Sequence, residues 1–222
     1  MSVLGLVTIG QAPRVDVTPD IAPLLAGVEL VERGALDELD ADGIAALAPA
    51  EGERVLVSRL RGGGMAVLGE ERMLPLVQAA IDRVVADGAG AVLLLCTGHL
   101  PGLTAAVPLY TAEQLGRGAA AALIGGGPLG VVVPEPEQAG PIAERWWEDH
   151  GLLATVAVAD PYTAPDGAFV AAGERLRAEG VEWIFLDCIG YSERMRALVA
   201  GSGSAKVLLA RTLAARLVAE AV

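Results

Sequence analysis

Short apolar runs alternate with stretches of helical spacing along nearly the whole chain. The first run spans residues 4–9 and ends in the turn Gly10-Gln11-Ala12-Pro13-Arg14. The pattern predicts a short helix over 18–26, a strand over 28–32 and another over 55–60, with an acidic, loop-like stretch at 37–53 and a turn at Arg61-Gly62-Gly63-Gly64. Met73, Leu74, Val77, Ile81, Val84 and Val85 recur at helical spacing, which predicts an amphipathic helix over 70–87 stopped at Gly88. Residues 91–95 are continuously apolar, as suits a strand buried on both faces, and run into Cys96-Thr97-Gly98. A second series then begins near Pro108. It predicts helices over 112–124, after Pro136, over 166–179 and over 192–199, strands over 130–133, 153–159, 183–187 and 207–210, and a last helix to 221. This alternation is the signature of a parallel α/β architecture.

The two series resemble each other. A helix ended by glycine, a buried strand and Cys-x-Gly occur at Cys96 and again at Cys188. A short apolar strand with a proline-containing turn opens each half, at residues 4–13 and 131–136. The expected fold is therefore two pseudo-symmetric lobes, each a small parallel sheet flanked by helices.

Composition narrows the picture. Hydrophobic residues make up 53% of the 222-residue chain but aromatics only 4%, which favours helices packed closely on sheets over a β-sandwich. A net charge of −12 argues against a nucleic-acid partner, since phosphate binding needs a basic surface. No run is long enough to span a membrane and no signal-peptide pattern opens the chain, so a cytoplasmic protein is expected. The cysteines stand 92 residues apart without metal-ligand spacing, which predicts free thiols and no metal. Neither triple glycine, at 62–64 or 125–127, fits a phosphate-binding loop. Trp146 and Trp147 read as packing residues.

The strongest chemistry lies at the two cysteines. Ligands bind beyond the carboxyl ends of strands in open parallel sheets, and both thiols fall there. A buried small hydrophobe is the alternative for either one. If the lobes face each other, one thiolate can take a proton from one face of a carbon while the other thiol delivers one to the opposite face. That inverts a stereocentre without a cofactor. Thr8, Gln11 and Arg14 end the first strand, and Arg14 suits a substrate carboxylate, a surface arginine being the alternative. Thr97, Gly98 and His99 flank Cys96, while Gly190 and Tyr191 flank Cys188. Asp187 is expected to point away from Cys188 by strand alternation and to act as a structural carboxylate.

Val7-Thr8-Ile9-Gly10-Gln11-Ala12-Pro13-Arg14 and Leu186-Asp187-Cys188-Ile189-Gly190-Tyr191, with the closing Val207-Leu208-Leu209-Ala210-Arg211, resemble the AroM family over essentially the whole chain. That family resembles the aspartate/glutamate racemase superfamily of cofactor-independent racemases, maleate isomerases and arylmalonate decarboxylases. The resemblance implies two α/β lobes around one site and maps the two catalytic cysteine positions onto Cys96 and Cys188. It also implies that the last helix returns to the first lobe, dividing the chain into residues 1–107 plus 206–222 and residues 108–205. The racemases typically carry Cys-Asn-Thr and Gly-Cys-Thr, where this chain has Cys96-Thr97-Gly98 and Asp187-Cys188-Ile189. The group that would hold a substrate carboxylate is therefore altered, most clearly at Ile189.

The expectation is a racemase or isomerase of a small carboxylate, an amino acid or hydroxy acid, with Cys96 and Cys188 as the acid/base pair and no cofactor. A decarboxylase or cis–trans isomerase using one cysteine, and a non-catalytic small-molecule sensor, remain the alternatives. The sequence is compatible with a homo-oligomer.

Overall fold

The computed structural model describes residues 2–222. Two four-stranded sheets, parallel throughout, and one antiparallel hairpin make up the strand framework. The chain opens with β1 (Val3–Thr8), α1 (Thr18–Ile21) continued by a 3-10 turn, β2 (Glu29–Gly34) and α2 (Ala41–Ala45). The hairpin strands β3 (Val55–Arg59) and β4 (Met65–Gly69) follow, then α3 (Glu70–Ala86), β5 (Ala91–Leu95), β6 (Leu109–Thr111) and α4 (Ala112–Ile124). The second half runs through β7 (Leu129–Val133), α5 (Ala139–His150), β8 (Ala154–Val158), α6 (Asp166–Ala178) and β9 (Trp183–Leu186). It closes with α7 (Glu193–Ala200), β10 (Lys206–Leu209) and α8 (Ala210–Ala219).

The strand orders show the internal symmetry. The first sheet runs β2-β1-β5-β6 and the second, read from its other edge, β8-β7-β9-β10. In each, the cysteine follows the strand paired with the opening strand of its half. Side-chain alternation divides each central strand between two cores. Val92, Leu94 and Cys96 share one face of the first sheet with α3, and Leu93 and Leu95 share the other with α8. Ile184, Leu186 and Cys188 likewise share a face with α6 and α7, while Phe185 packs with Trp146 on the opposite face. Both cysteines therefore continue equivalent rows of their sheets.

Three features depart from the sequence pattern. The stretch at 37–53 includes the helix α2, started by Asp40, whose side chain accepts a hydrogen bond from the Gly43 N–H. The triple glycine at 62–64 turns the chain back into β4, where only a turn was expected. The lobe boundaries also shift. Leu109–Thr111 pairs with β5 and belongs to the first sheet, and Lys206–Leu209 pairs with β9 and belongs to the second. Each of these edge strands feeds without a loop into a helix that reaches the other lobe. On α4, Ala112 packs in the first lobe's core and Ile124 in the second's. On α8, Ala210 packs in the second lobe's core and Val218 in the first's. The two helices touch where Gly116 faces the Ala210 backbone, at 3.5 Å from a Cβ placed at 116. Of the paired tryptophans, Trp146 is buried against Phe185 and Trp147 is exposed. Among the described residues no helix is long and apolar enough to cross a membrane.

Candidate active site

A cavity of about 440 Å³ opens where the carboxyl ends of the two sheets meet, and both Cys96 and Cys188 line it. The hairpin forms one wall through Leu56 and Ser58, and the start of α5 forms another through Pro141, Ile142 and Arg145. Gln138 ties these walls together by donating its side-chain N–H to the Val55 carbonyl at 3.1 Å.

The two thiols are held in the same way. The Gly98 N–H donates to Cys96 Sγ at 3.3 Å, and the Gly190 N–H donates to Cys188 Sγ at 3.4 Å. Each glycine is needed for close approach. A Cβ at 98 would lie 2.2 Å from Leu56 Cδ2, and one at 190 would lie 2.6 Å from the Tyr162 hydroxyl. Burial pushes the Cys96 thiol up to about 12, against the pull of the Gly98 N–H and with repulsion from Cys188, Glu113 and Glu70. Burial pushes the Cys188 thiol up to about 11, where the Gly190 N–H, Arg14 and Tyr162 draw it down and Asp187 draws it up.

One guanidinium joins the loops that carry the thiols. Arg117, on α4, donates from Nη2 to the Thr97 carbonyl at 2.9 Å and from Nε to Asp187 Oδ2 at 3.1 Å. Thr97 Oγ1 also donates to the Asp187 carbonyl at 3.2 Å. The residues beside the two cysteines are thus cross-linked from both the front and the back. Burial works against the Arg117 charge, but Asp187 and Glu113 outweigh it and raise its pKa. Glu113 is shared with Arg145, at 2.7 Å, and with His99 Nδ1, at 3.3 Å. Glu70 lines the same mouth, and burial raises its pKa against the pull of Arg54, His99 and Arg145.

Arg14 is buried at the floor rather than exposed as a surface arginine would be. It donates from Nε and Nη2 to the two Asp16 carboxylate oxygens, both at 2.8 Å, from Nη1 to Thr8 Oγ1 at 2.9 Å, and from Nη2 to the Tyr162 hydroxyl at 3.3 Å. Burial opposes its charge, yet Asp16 holds its pKa above the ordinary value. Asp16 is held below the ordinary carboxylate range, burial being outweighed by the Arg14 hydrogen bond.

A match to the AroM protein family covers residues 4–222. The chain belongs to the AroM family. No curated protein matches it in sequence. Among solved structures it is similar to unliganded arylmalonate decarboxylase, with a TM-score of 0.65, 14% identity, and 100% of this chain and 92% of the other covered. Allantoin racemase from Pseudomonas fluorescens gives 0.64, 16%, 99% and 89%, and glutamate racemase from Aquifex pyrophilus gives 0.64, 13%, 99% and 84%. At these identities the likeness establishes a shared two-lobed α/β fold.

Within this AroM cavity the sequence-derived residues fall into two groups. Cys96, Cys188, Arg14, Thr97, Gly98 and His99 line it. Thr8, Gln11, Gly190 and Tyr191 are not among its lining residues. Thr8 holds Arg14 from behind. Gln11 instead clamps the turn after β1, accepting from the Arg61 N–H at 2.9 Å and donating to the Leu36 carbonyl at 3.4 Å. Gly190 serves through its N–H. Tyr191 is a core residue whose hydroxyl donates to the Ala159 carbonyl at 2.8 Å. Ile189 is buried in the first lobe's core among Leu4, Leu6 and Ala214, so its apolar side chain plugs the junction between the lobes. Asp187 pairs with Arg117 and also lines the cavity. Tyr162, Arg117 and Ser58 escaped sequence reasoning. Tyr162 alone carried a usable signal, since it too follows the carboxyl end of a parallel strand. Among the described residues no group of three or more His, Cys, Asp or Glu side chains is placed to hold a metal ion.

Proposed function

We propose that this AroM protein is a cofactor-independent racemase or isomerase of a small carboxylate, with Cys96 and Cys188 as its acid/base pair. The observation that carries the proposal is that both thiols line one cavity at equivalent strand ends, each with a glycine N–H on its sulfur. One cysteine, as thiolate, takes the proton from Cα and becomes a thiol. The other, initially a thiol, gives its proton to the opposite face and becomes a thiolate. No net proton is gained, and the site is left ready for the opposite enantiomer. The carbanion spreads its charge onto the substrate carboxylate, where donors strengthen their hold as the charge develops. Arg14 lines the floor for this task. Ser58, in the hairpin wall, is a second donor for it, with a hydroxyl that is buried without a hydrogen-bond partner among the described residues. Burial that raises both thiols makes each thiolate scarce but strongly basic, which suits a weakly acidic C–H. The racemases among the fold's solved neighbours lend this reading further support.

A one-cysteine reaction, such as decarboxylation with Cys188 protonating the product carbanion, is the second reading. It is favoured by the unequal surroundings of the thiols, since Arg14 and Tyr162 act on Cys188 and carboxylates crowd Cys96.

The test is deuterium exchange at Cα in heavy water over a panel of amino and hydroxy acids, with Cys96→Ala and Cys188→Ala alongside. Two-thiol chemistry predicts inversion that is lost in both variants. It also predicts a rate rising close to tenfold per pH unit from 7 to 9, because a thiol with a pKa of about 11 is ionised in only about one molecule per thousand at pH 8. Turnover that survives Cys96→Ala would transfer the assignment to the one-cysteine reaction.

A further inference from the structure

The thiols share a backbone arrangement but not their neighbours, and the difference centres on Tyr162. This residue follows β8 in a loop held by Asp160, whose carboxylate accepts from the Tyr162 N–H at 2.9 Å and the Thr163 N–H at 3.1 Å. The loop delivers the phenol into the cavity, where its oxygen accepts from Arg14 Nη2 at 3.3 Å. Gly190 adjoins both the phenol and the sulfur. Its N–H donates to Cys188 Sγ, and any side chain on it would meet the Tyr162 ring and hydroxyl within 2.6–2.7 Å. Among the described residues the phenol oxygen only accepts, from Arg14, so its own hydrogen is free to turn toward the sulfur across the bare position 190. Cys96 has the carboxylates Glu70 and Glu113 as its charged neighbours instead.

We propose that Tyr162 makes Cys188 the resting base of the site, donating its hydroxyl hydrogen to the Cys188 sulfur while Arg14 donates to the phenol oxygen. The assignment rests on the two-thiol reading. Arg14, besides facing the substrate, positions the phenol through this donation, with Asp16 and Thr8 aiming its guanidinium. The phenol keeps its proton throughout, since burial and the neighbouring thiol push its pKa well above the ordinary value. The ordered set Asp16–Arg14–Tyr162–Cys188 crosses from the first lobe to the second. It polarises the pair so that, in the molecules that carry a thiolate, Cys188 holds it and Cys96 keeps its proton.

The test is alkylation by iodoacetamide at pH 8, followed at each cysteine by peptide mass spectrometry, in the natural protein and in Tyr162→Phe. Losing a donor that shifts the thiol by one pKa unit cuts the thiolate tenfold, while the more basic thiolate reacts about threefold faster. Cys188 should therefore slow by about three- to fourfold, with Cys96 unchanged. An unchanged or faster Cys188, or equal slowing of both, would overturn the assignment. A second measurement needs no substitution. Biosynthetic replacement of the three tyrosines by the more acidic 3-fluorotyrosine should speed Cys188 relative to Cys96. No change, or slowing, would count against Tyr162 as the donor. Alkylation requires no turnover, so a failed Cα exchange with an intact Tyr162 effect would sink the two-thiol reading alone.

Discussion

At the scale of single residues, the site is organised around charges that have left water in pairs. Arg14 is 2% exposed, and two of its nitrogens are spent on Asp16. Breaking such a pair from one side strands the other charge, which costs far more than the pair contributes when whole. Asp16→Asn is therefore expected to lower stability by about 3 kcal/mol, read as the shift in a urea-unfolding midpoint. The sign of the pH dependence follows from the lowered Asp16 pKa. The folded carboxylate binds protons more weakly than the unfolded one, so its contribution is complete above the ordinary carboxylate pKa. It drains away as pH falls through the depressed value. The gap between the natural protein and Asp16→Asn should narrow on acidification below about pH 4. A gap that stays constant there would mean that Asp16 holds Arg14 through geometry alone.

At the scale of elements, α4 is more than a connection between lobes. Its Arg117 grips the residue after Cys96 and the residue before Cys188, two strand ends that belong to different sheets. A helix is rigid over this length, so a side chain fixed on it transmits one position to both loops. Arg117→Met keeps most of the apolar stem but leaves Asp187, with a fully buried side chain, without its cation. A loss of about 3 kcal/mol is expected in thermal or urea unfolding, since an uncompensated buried carboxylate remains. Both cysteines should also become more accessible to alkylation in that variant, because both loops lose the same anchor. If only the loop of one cysteine opened, Thr97 Oγ1 would be the principal link between them.

At the scale of the whole molecule, two features stand against each other. The crossing of α4 and α8 between the lobes joins the two cores into one packed body, with the cavity held where the sheets converge. The net charge of −12, by contrast, repels the anionic substrates that the cavity is proposed to take. Long-range repulsion slows encounter and is screened by salt, whereas the contacts of Arg14 inside the cavity are not. The turnover number over KM for a carboxylate substrate is thus expected to rise roughly twofold as ionic strength increases from about 0.01 to 0.15 M. A fall instead would show that Arg54 and Arg145 at the mouth set the field that an incoming anion meets.

Much of this protein was legible in its residue pattern because local physics decided it. The periods of apolar residues marked every strand of the two parallel sheets except β6, whose three residues are only half-buried and too few to show alternation, and they missed the hairpin strand β4. Glycine at the end of α4 stopped that helix in the left-handed conformation that other residues resist. Strand-end position alone singled out Cys96, Cys188 and Arg14, since parallel sheets expose their chemistry at that edge. Only the tertiary structure decided that the two thiols look into one cavity. Only it brought Tyr162 to Arg14 across 148 positions of chain, and turned Arg117 inward rather than to solvent. Those outcomes depend on how two sheets are set against each other through α4 and α8, and no local spacing encodes that arrangement. The exchange of β6 and β10 between the expected lobes has the same origin. A short edge strand joins whichever sheet presents an unpaired row of N–H and C=O groups beside it, and pairing across space outweighs proximity in sequence.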